Sequence, residues 1–476
     1  MASLHPTIVL GGGFVGLLTV LNLSHQTYPH PILLVEPRDR FIFKPLLYEL
    51  LTGEMHPKQI CPAYTELLAN RQVSFIQDRV QAIDLQQRQV TLSSGRFLSY
   101  SNLVLALGSH TTYFNTPGAA AYSFPFTSDD EAIALRNQLQ NCLRRARETP
   151  NLEEKMGLLT VAIVGAGPAG VELACTLADI LPVWYDQLGG DYEDLRIVLV
   201  NRSGEILKGD INNRLRTTAQ HSLMQRTIPI ELLLEAAVNE IRTDGIAYQQ
   251  QGMNHFLSAA TIAWTAGTEP NSLLKTLAVA PEHRNRRGQI QVKSTLQLLD
   301  YPEVFMGGDG AYVAEAPQPA TAQVAYQQGQ AIAHNLLAIA AGRSPSPSQI
   351  NLRGTLMKLG IGEGVANLFN RIELKGELGH LIRQATYLEL LPTPAHNFKN
   401  TTEWFTDSLF QRHQPRSLNA NHYRRTPLLA GMTAAMVSAL IALPLAWRAA
   451  QPQTFQETLS WTGVPALLDR WTPRQQ

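Results

Sequence analysis

The stretch GAGPAGVELA, residues 165–174, follows the apolar run LTVAIV at 159–164. It reads as a strand passing through a tight turn into a helix, the geometry that offers backbone N–H groups and a helix N-terminus to a pyrophosphate. The chain carries the same device once already, as GGGFVGLL at 11–18 after TIVL at 7–10. Two such turns pose a question of purpose. Glu172 poses a second, because it sets a carboxylate just inside a helix that should receive an anion.

Each turn has the pattern G-x-G-x-x-G. The first glycine (Gly11, Gly165) permits the turn and the second (Gly13, Gly167) lets backbone approach the phosphates. The third (Gly16, Gly170) lets helix and strand pack closely. Glu36 follows Gly16 by twenty residues, at the end of the next strand, where a carboxylate holds a ribose diol. The matching strand of the second unit ends IVLVNRSGE (197–205), so Asn201 stands there, followed by Arg202. A carboxylate at that point repels a 2′-phosphate. An amide beside a guanidinium accepts one, so NADPH is expected to serve at least as well as NADH. The plainer alternative makes Arg202 a solvated turn residue. Two adjacent sites suit a chain that keeps FAD in one and admits a nicotinamide to the other, and the residues alone do not say which is which.

A chain of 476 residues exceeds one hydrophobic core, so two or three domains are expected. Lys plus Arg and Asp plus Glu both number 39, which argues against nucleic acid as a partner. The three cysteines, Cys61, Cys142 and Cys175, form no CxxC or CxxxxC pair and no His/Cys cluster. No metal site is expected, nor a redox dithiol, and a reducing compartment is. The first strand begins by about Thr7, which leaves no room for a signal peptide.

Strands are expected at Thr7–Leu10, 32–36, Thr160–Val164 and 196–201, with helices at about 14–24 and 169–185. Residues 41–54 read as a loop feeding a short helix, 73–109 as several strands, and 320–342 as a helix stopped by Gly342. The fold class is therefore α/β, with two Rossmann-like dinucleotide-binding domains. The expected boundaries are 1–115 with 300–345 for one and 157–299 for the other. A C-terminal helical region, 346–426, with two helices after LRGTLMKLGIGEGVANLF (352–369), comes next, and a tail, 448–476, closes the chain. Between them, residues 427–447 hold no charge over 21 residues, with Arg424 and Arg425 before and Arg448 after. That length suffices to cross a bilayer. A buried helix, an embedded hairpin or a helix lying on the surface are the alternatives.

Together, VLGGGFVGLL, FKPLLYELLTGE, LVLALGS, GAGPAGVELA, AWTAGTEP, GGDGA and ATAQVAYQ make the chain resemble the type II NAD(P)H:quinone oxidoreductases over about residues 5–400. Asn201–Arg202, the 352–369 stretch and the tail resemble the cyanobacterial and plastid branch, some of whose members are linked to demethylphylloquinone reduction in vitamin K1 synthesis. The resemblance implies FAD over Gly11, Gly13, Gly16 and Glu36, with Lys44 and Val80 near its ribose or adenine. Ala106 and Gly108 would lie near the pyrophosphate and Asp309 at the ribityl–phosphate part. It implies NADH or NADPH over Gly165, Gly167 and Gly170, beside Gly267. The family's AQxAxQ signature is here Ala322 to Gln327, and Gln323 and Gln327 would offer amides to a quinone. Glu172 would deliver protons or position the nicotinamide, where otherwise it is an acid favouring its helix dipole. Also implied are a homodimer and catalytic domains on the cytoplasmic or stromal-equivalent face of a plasma or thylakoid membrane, where quinone enters from lipid without proton pumping. A reductase of a soluble, ferredoxin-like acceptor and a redox-sensing interaction protein are the competing functions.

Overall fold

The computed structural model describes residues 5–209, 213–352, 354–368 and 372–392. The expected segment 427–447, the tail and residues 393–426 lie outside them. Five strands form the first sheet, in the order Val304–Met306, Asn102–Leu105, Thr7–Leu10, Ile32–Val35, Val73–Ile76. All its neighbours pair in parallel. The second sheet runs Ile230–Leu233, Arg196–Val200, Thr160–Val164, Thr261–Trp264, Phe124–Pro125, again all parallel. Starting from each Gly-turn strand as the first, both sheets follow the order 3-2-1-4, in which ligands gather at the carboxyl ends of the strands. The apolar runs TIVL and TVAIV are buried at every position, as central parallel strands covered on both faces require.

Helix Phe14–Ser24 leaves the first turn and helix Pro168–Asp186 the second. Helix Ala322–Ala340 packs on the first of these so closely that a Cβ on Gly329 would lie 2.6 Å from the Val15 carbonyl oxygen. The Thr19 hydroxyl donates to the Gly329 carbonyl at that crossing. The 41–54 stretch forms a single turn at Lys44–Leu46 and a helix at Leu47–Thr52.

Within the expected helical region 346–426, the stretch after residue 352 begins with strands, and one of the two helices expected after it is present among the described residues. Strands Gly354–Gly360, Glu363–Leu368 and Ile372–Lys375 form an antiparallel sheet, and one helix, Gly376–Glu389, follows. Glycines at 354, 360, 362 and 364 disfavour a helix there, and Gly362, at φ +72°, makes the hairpin turn.

Candidate active site

The two turns are the same object built twice. A Cβ on Gly16 would sit 1.8 Å from the Gly11 carbonyl oxygen, and one on Gly170 would sit 1.8 Å from that of Gly165. Nothing lies within 4 Å of a Cβ placed on Gly13 or Gly167, so both face open space. Helices Asp129–Glu148 and Ala322–Ala340 are capped by Ser128 and Thr321, whereas neither Gly-turn helix has a side-chain cap. Two helix N-termini with uncapped N–H groups at open glycines fit two pyrophosphates.

The correspondence extends to the ends of the second strands. Glu36 Oε2 accepts the Gly12 N–H at 2.8 Å, and Asn201 Oδ1 accepts the equivalent Ala166 N–H at 3.2 Å. The Asn201 amide also donates to Ser203 O at 3.1 Å, Ser203 Oγ at 2.8 Å and Glu205 O at 3.0 Å, which pins the loop beside exposed Arg202. Glu36 and Asn201 therefore do the same structural task with different charge.

Around the first turn, the Tyr64 hydroxyl donates to the Gly12 carbonyl at 2.8 Å, and Ala106 N–H donates to Leu10 O at 2.8 Å. Lys44 is exposed, Val80 is buried at the start of its strand, and Gly108 adopts φ +63°. Asp309 accepts a hydrogen bond from the Ser109 hydroxyl. It borders a small cleft that Tyr312, Thr321, Val324 and Gln328 also line. The sequence singled out Gln323 and Gln327, yet Gln328 is the buried glutamine, and its Oε1 accepts the Gly308 N–H at 2.7 Å. Gln327 is committed to the backbone of Asn351, accepting its N–H at 2.8 Å and donating to its carbonyl at 3.1 Å. Ala322 opens the same helix. Gly267, at φ +85°, lies against the Phe114 ring.

Glu172 meets a cluster that the sequence did not disclose. Its side chain is 13 % exposed, and Oε1 accepts the Lys358 backbone N–H at 2.6 Å and lies 3.9 Å from Arg383 Nε. The Lys358 ammonium, fully buried, donates to Glu49 at 3.1 Å and to Glu54 at 2.7 Å. The Arg383 guanidinium, also fully buried, donates to Glu49 at 2.7 Å and to Pro45 O at 2.7 Å, and it stacks over Tyr387 at 4.8 Å. Burial pushes the Glu172 carboxyl up, against the pull of Arg383 and the Lys358 N–H. Burial also acts upward on Glu49, but Arg383 and Lys358 overcome it and hold that carboxyl at about 2. Burial and the two cations push the His380 imidazole down to about 3, so it is neutral. The signals in the sequence were a lone Lys358 inside the apolar run TLMKLG and a lone Arg383 inside LIRQA. Cys175 is buried one turn behind Glu172, and burial pushes its thiol up to about 12, which fits packing and not redox work.

The family model of the pyridine nucleotide-disulphide oxidoreductases matches residues 5–329. The chain belongs to that family. A demethylphylloquinone reductase of Synechocystis is 34 % identical over 86 % of this oxidoreductase and 98 % of its own length. The alternative NAD(P)H-ubiquinone oxidoreductase C1 of Arabidopsis thaliana is 31 % identical over 84 % of this chain and 80 % of its own. The structure of NDH2 from Plasmodium falciparum in complex with NADH superposes with a TM-score of 0.76 at 19 % identity, covering 86 % of this chain and 99 % of that one, and confirms the fold. These relatives bear out the sequence resemblance to type II quinone oxidoreductases.

Proposed function

We propose that this oxidoreductase passes two electrons from NAD(P)H to a quinone of the naphthoquinone or plastoquinone type. The observation that carries this reading is the pair of uncapped Gly-turn helices with a largely withdrawn carboxylate, Glu172, in the second turn of the second. The sequence contains no paired cysteines, and Cys61, Cys142 and Cys175 are buried and free, so the dithiol chemistry in the family's name has no residues here. The first domain, 1–115 with 300–345, is assigned to FAD and the second, 157–299, to the nicotinamide. FAD, when bound, supplies the two-electron relay between donor and acceptor.

The chain's own residues do the rest. The Gly13 and Gly167 turns hold the two pyrophosphates, and Glu36 holds a ribose diol with the lone pairs that Gly12 leaves free. Reducing a quinone with NAD(P)H consumes one further proton from solvent. Glu172, largely withdrawn from water and fed by Tyr48, Lys358 and Arg383, is the group that keeps it. Gln323 and Gln327 are the amides proposed for a quinone oxygen, and Gln327 is clasped to Asn351. Quinone of this kind resides in lipid, and the uncharged 427–447 run is the part of the sequence suited to a bilayer surface. Among the described residues no helix is long and apolar enough to cross a membrane. A homodimer remains the family's expectation. Demethylphylloquinone is the favoured natural acceptor, on the likeness to the Synechocystis enzyme.

Anaerobic rapid mixing tests the reading. One equivalent of NADPH should bleach the flavin of the holoprotein, and a naphthoquinone should restore it within the time of one turnover. A reduced flavin that stays inert to every quinone would instead support a soluble acceptor or a sensing role. In the same assay Arg202→Ala should raise the KM for NADPH about tenfold and spare NADH, the loss expected for one charge-assisted phosphate contact. An equal effect on both nucleotides would return Arg202 to solvent.

A further inference from the structure

Two cations and three carboxylates share one buried site. Lys358 and Arg383 balance two of the acids and leave the third without a cation of its own. The geometry decides which acid that is. Glu49 Oε1 is bridged by Lys358 Nζ at 3.1 Å and by the Arg383 guanidinium at 2.7 Å. Glu54 takes the other short bond of Lys358, at 2.7 Å, and is steadied by the Thr52 hydroxyl at 2.8 Å. Glu172 receives only neutral donors, the Lys358 backbone N–H at 2.6 Å and the Tyr48 hydroxyl, and Arg383 Nε stays 3.9 Å away without a hydrogen-bond partner among the described residues.

We propose that Glu49 is a positioning residue that keeps the exchangeable proton on Glu172, by engaging both buried cations and so withholding their charge from it. The inference rests on the reading of Glu172 as the proton-holding group. The other groups around Glu172 add no unpaired charge, although the neutral Tyr48 hydroxyl bond favours the carboxylate. From its own helix come Cys175, a neutral thiol, and Asp179, which belongs to Arg226 at 3.2 Å and to the Ile361 N–H. From the 47–52 helix comes Tyr48, whose hydroxyl burial holds neutral. From the C-terminal helix come neutral His380 and Tyr387, the latter pushed up to about 12 by burial. A carboxylate facing two buried cations ionises readily, whereas one beside a neutralised pair retains its proton in the low-dielectric interior. Removing the charge of Glu49 therefore transfers the pull of Lys358 and Arg383 to Glu172.

The test is an infrared pH titration of the FAD-loaded holoprotein, following the protonated-carboxyl band that disappears in Glu172→Gln. This readout does not depend on quinone turnover. In Glu49→Gln, whose amide oxygen still accepts both hydrogen bonds, the midpoint should fall by about 1 pH unit or more. In Lys358→Met, which removes a cation and keeps the backbone N–H, it should rise. Shifts of opposite sign distinguish a charge effect from general disturbance of the site, and Lys358→Met alone decides the matter if Glu49→Gln fails to fold. An unmoved midpoint, or two shifts of one sign, would overturn the role of Glu49 and leave Glu172 in place. The absence of any band that vanishes in Glu172→Gln would overturn both. A titrating Glu172 in a protein whose flavin ignores quinones would uphold Glu49 and remove the quinone reading only.

Discussion

Glu172→Gln is expected to lower NAD(P)H-to-quinone turnover about 100-fold or more, with FAD still bound. Loss of a positioned proton-transfer group has effects of this order. FAD should be retained because Glu172 stands on the second Gly-turn helix, apart from Gly11, Gly13, Gly16 and Glu36. The amide keeps the shape of the carboxylate and can still accept the Lys358 N–H, so packing is conserved and only the proton chemistry is lost. Rapid mixing locates the defect. Normal bleaching by NADPH followed by slow recovery with quinone identifies proton delivery. Slow bleaching identifies nicotinamide positioning instead. Turnover equal to that of the parent protein would leave Glu172 as a helix-dipole acid with no part in the reaction.

Arg383→Ala is expected to cost about 3–5 kcal/mol of stability, the range measured when one partner of a buried ion pair is removed. The guanidinium bonds to Glu49 and to the Pro45 carbonyl and covers the Tyr387 ring, and it has no exposure to water. Without it, Glu49 is left with Lys358 alone in a site that water does not reach. Chemical unfolding followed by flavin fluorescence should show a clear drop in midpoint. Adding Glu49→Gln to the Arg383 variant should recover part of the loss, because the stranded charge is gone, and the two effects should not add. An unchanged midpoint in Arg383→Ala would mean that the cluster is solvated and the pair worth little.

The nucleotide-binding half of this molecule could be read from the sequence because backbone constraints wrote it there. Gly11, Gly16 and Gly170 occupy places where another residue would strike a carbonyl, and Gly165 one where it would strike the Ala266 backbone, so the fold admits few substitutes. The strands beside them are buried on both faces and therefore apolar from end to end. Glu36 and Asn201 were legible for the same reason, as fixed points at the end of a strand. The Glu172 cluster was not. Its members come from segments with no common periodicity, and they meet only through side chains. The glycine-broken strands at 354–368 carried no strand assignment in the sequence, which hid that Lys358 projects from a strand toward Glu49. Gln327 and Gln328 show the limit of motif reading. Neighbours in sequence face different environments on one helix, and only packing tells which amide is spoken for.

The bonds of Glu49 to Lys358 and Arg383 span 309 and 334 residues of chain. Ribosomes add about 5–20 residues per second, so this carboxylate is synthesised tens of seconds before either cation exists. The Gly-turn units can form from local contacts in that interval, but the 47–52 helix cannot be sealed into the interior while Glu49 lacks both charges. Closure of that corner beside the nucleotide helix is thus among the last events of biogenesis. The dryness of the corner around Glu49 therefore depends on the segment of chain, Gly376–Glu389, that brings Arg383 to it.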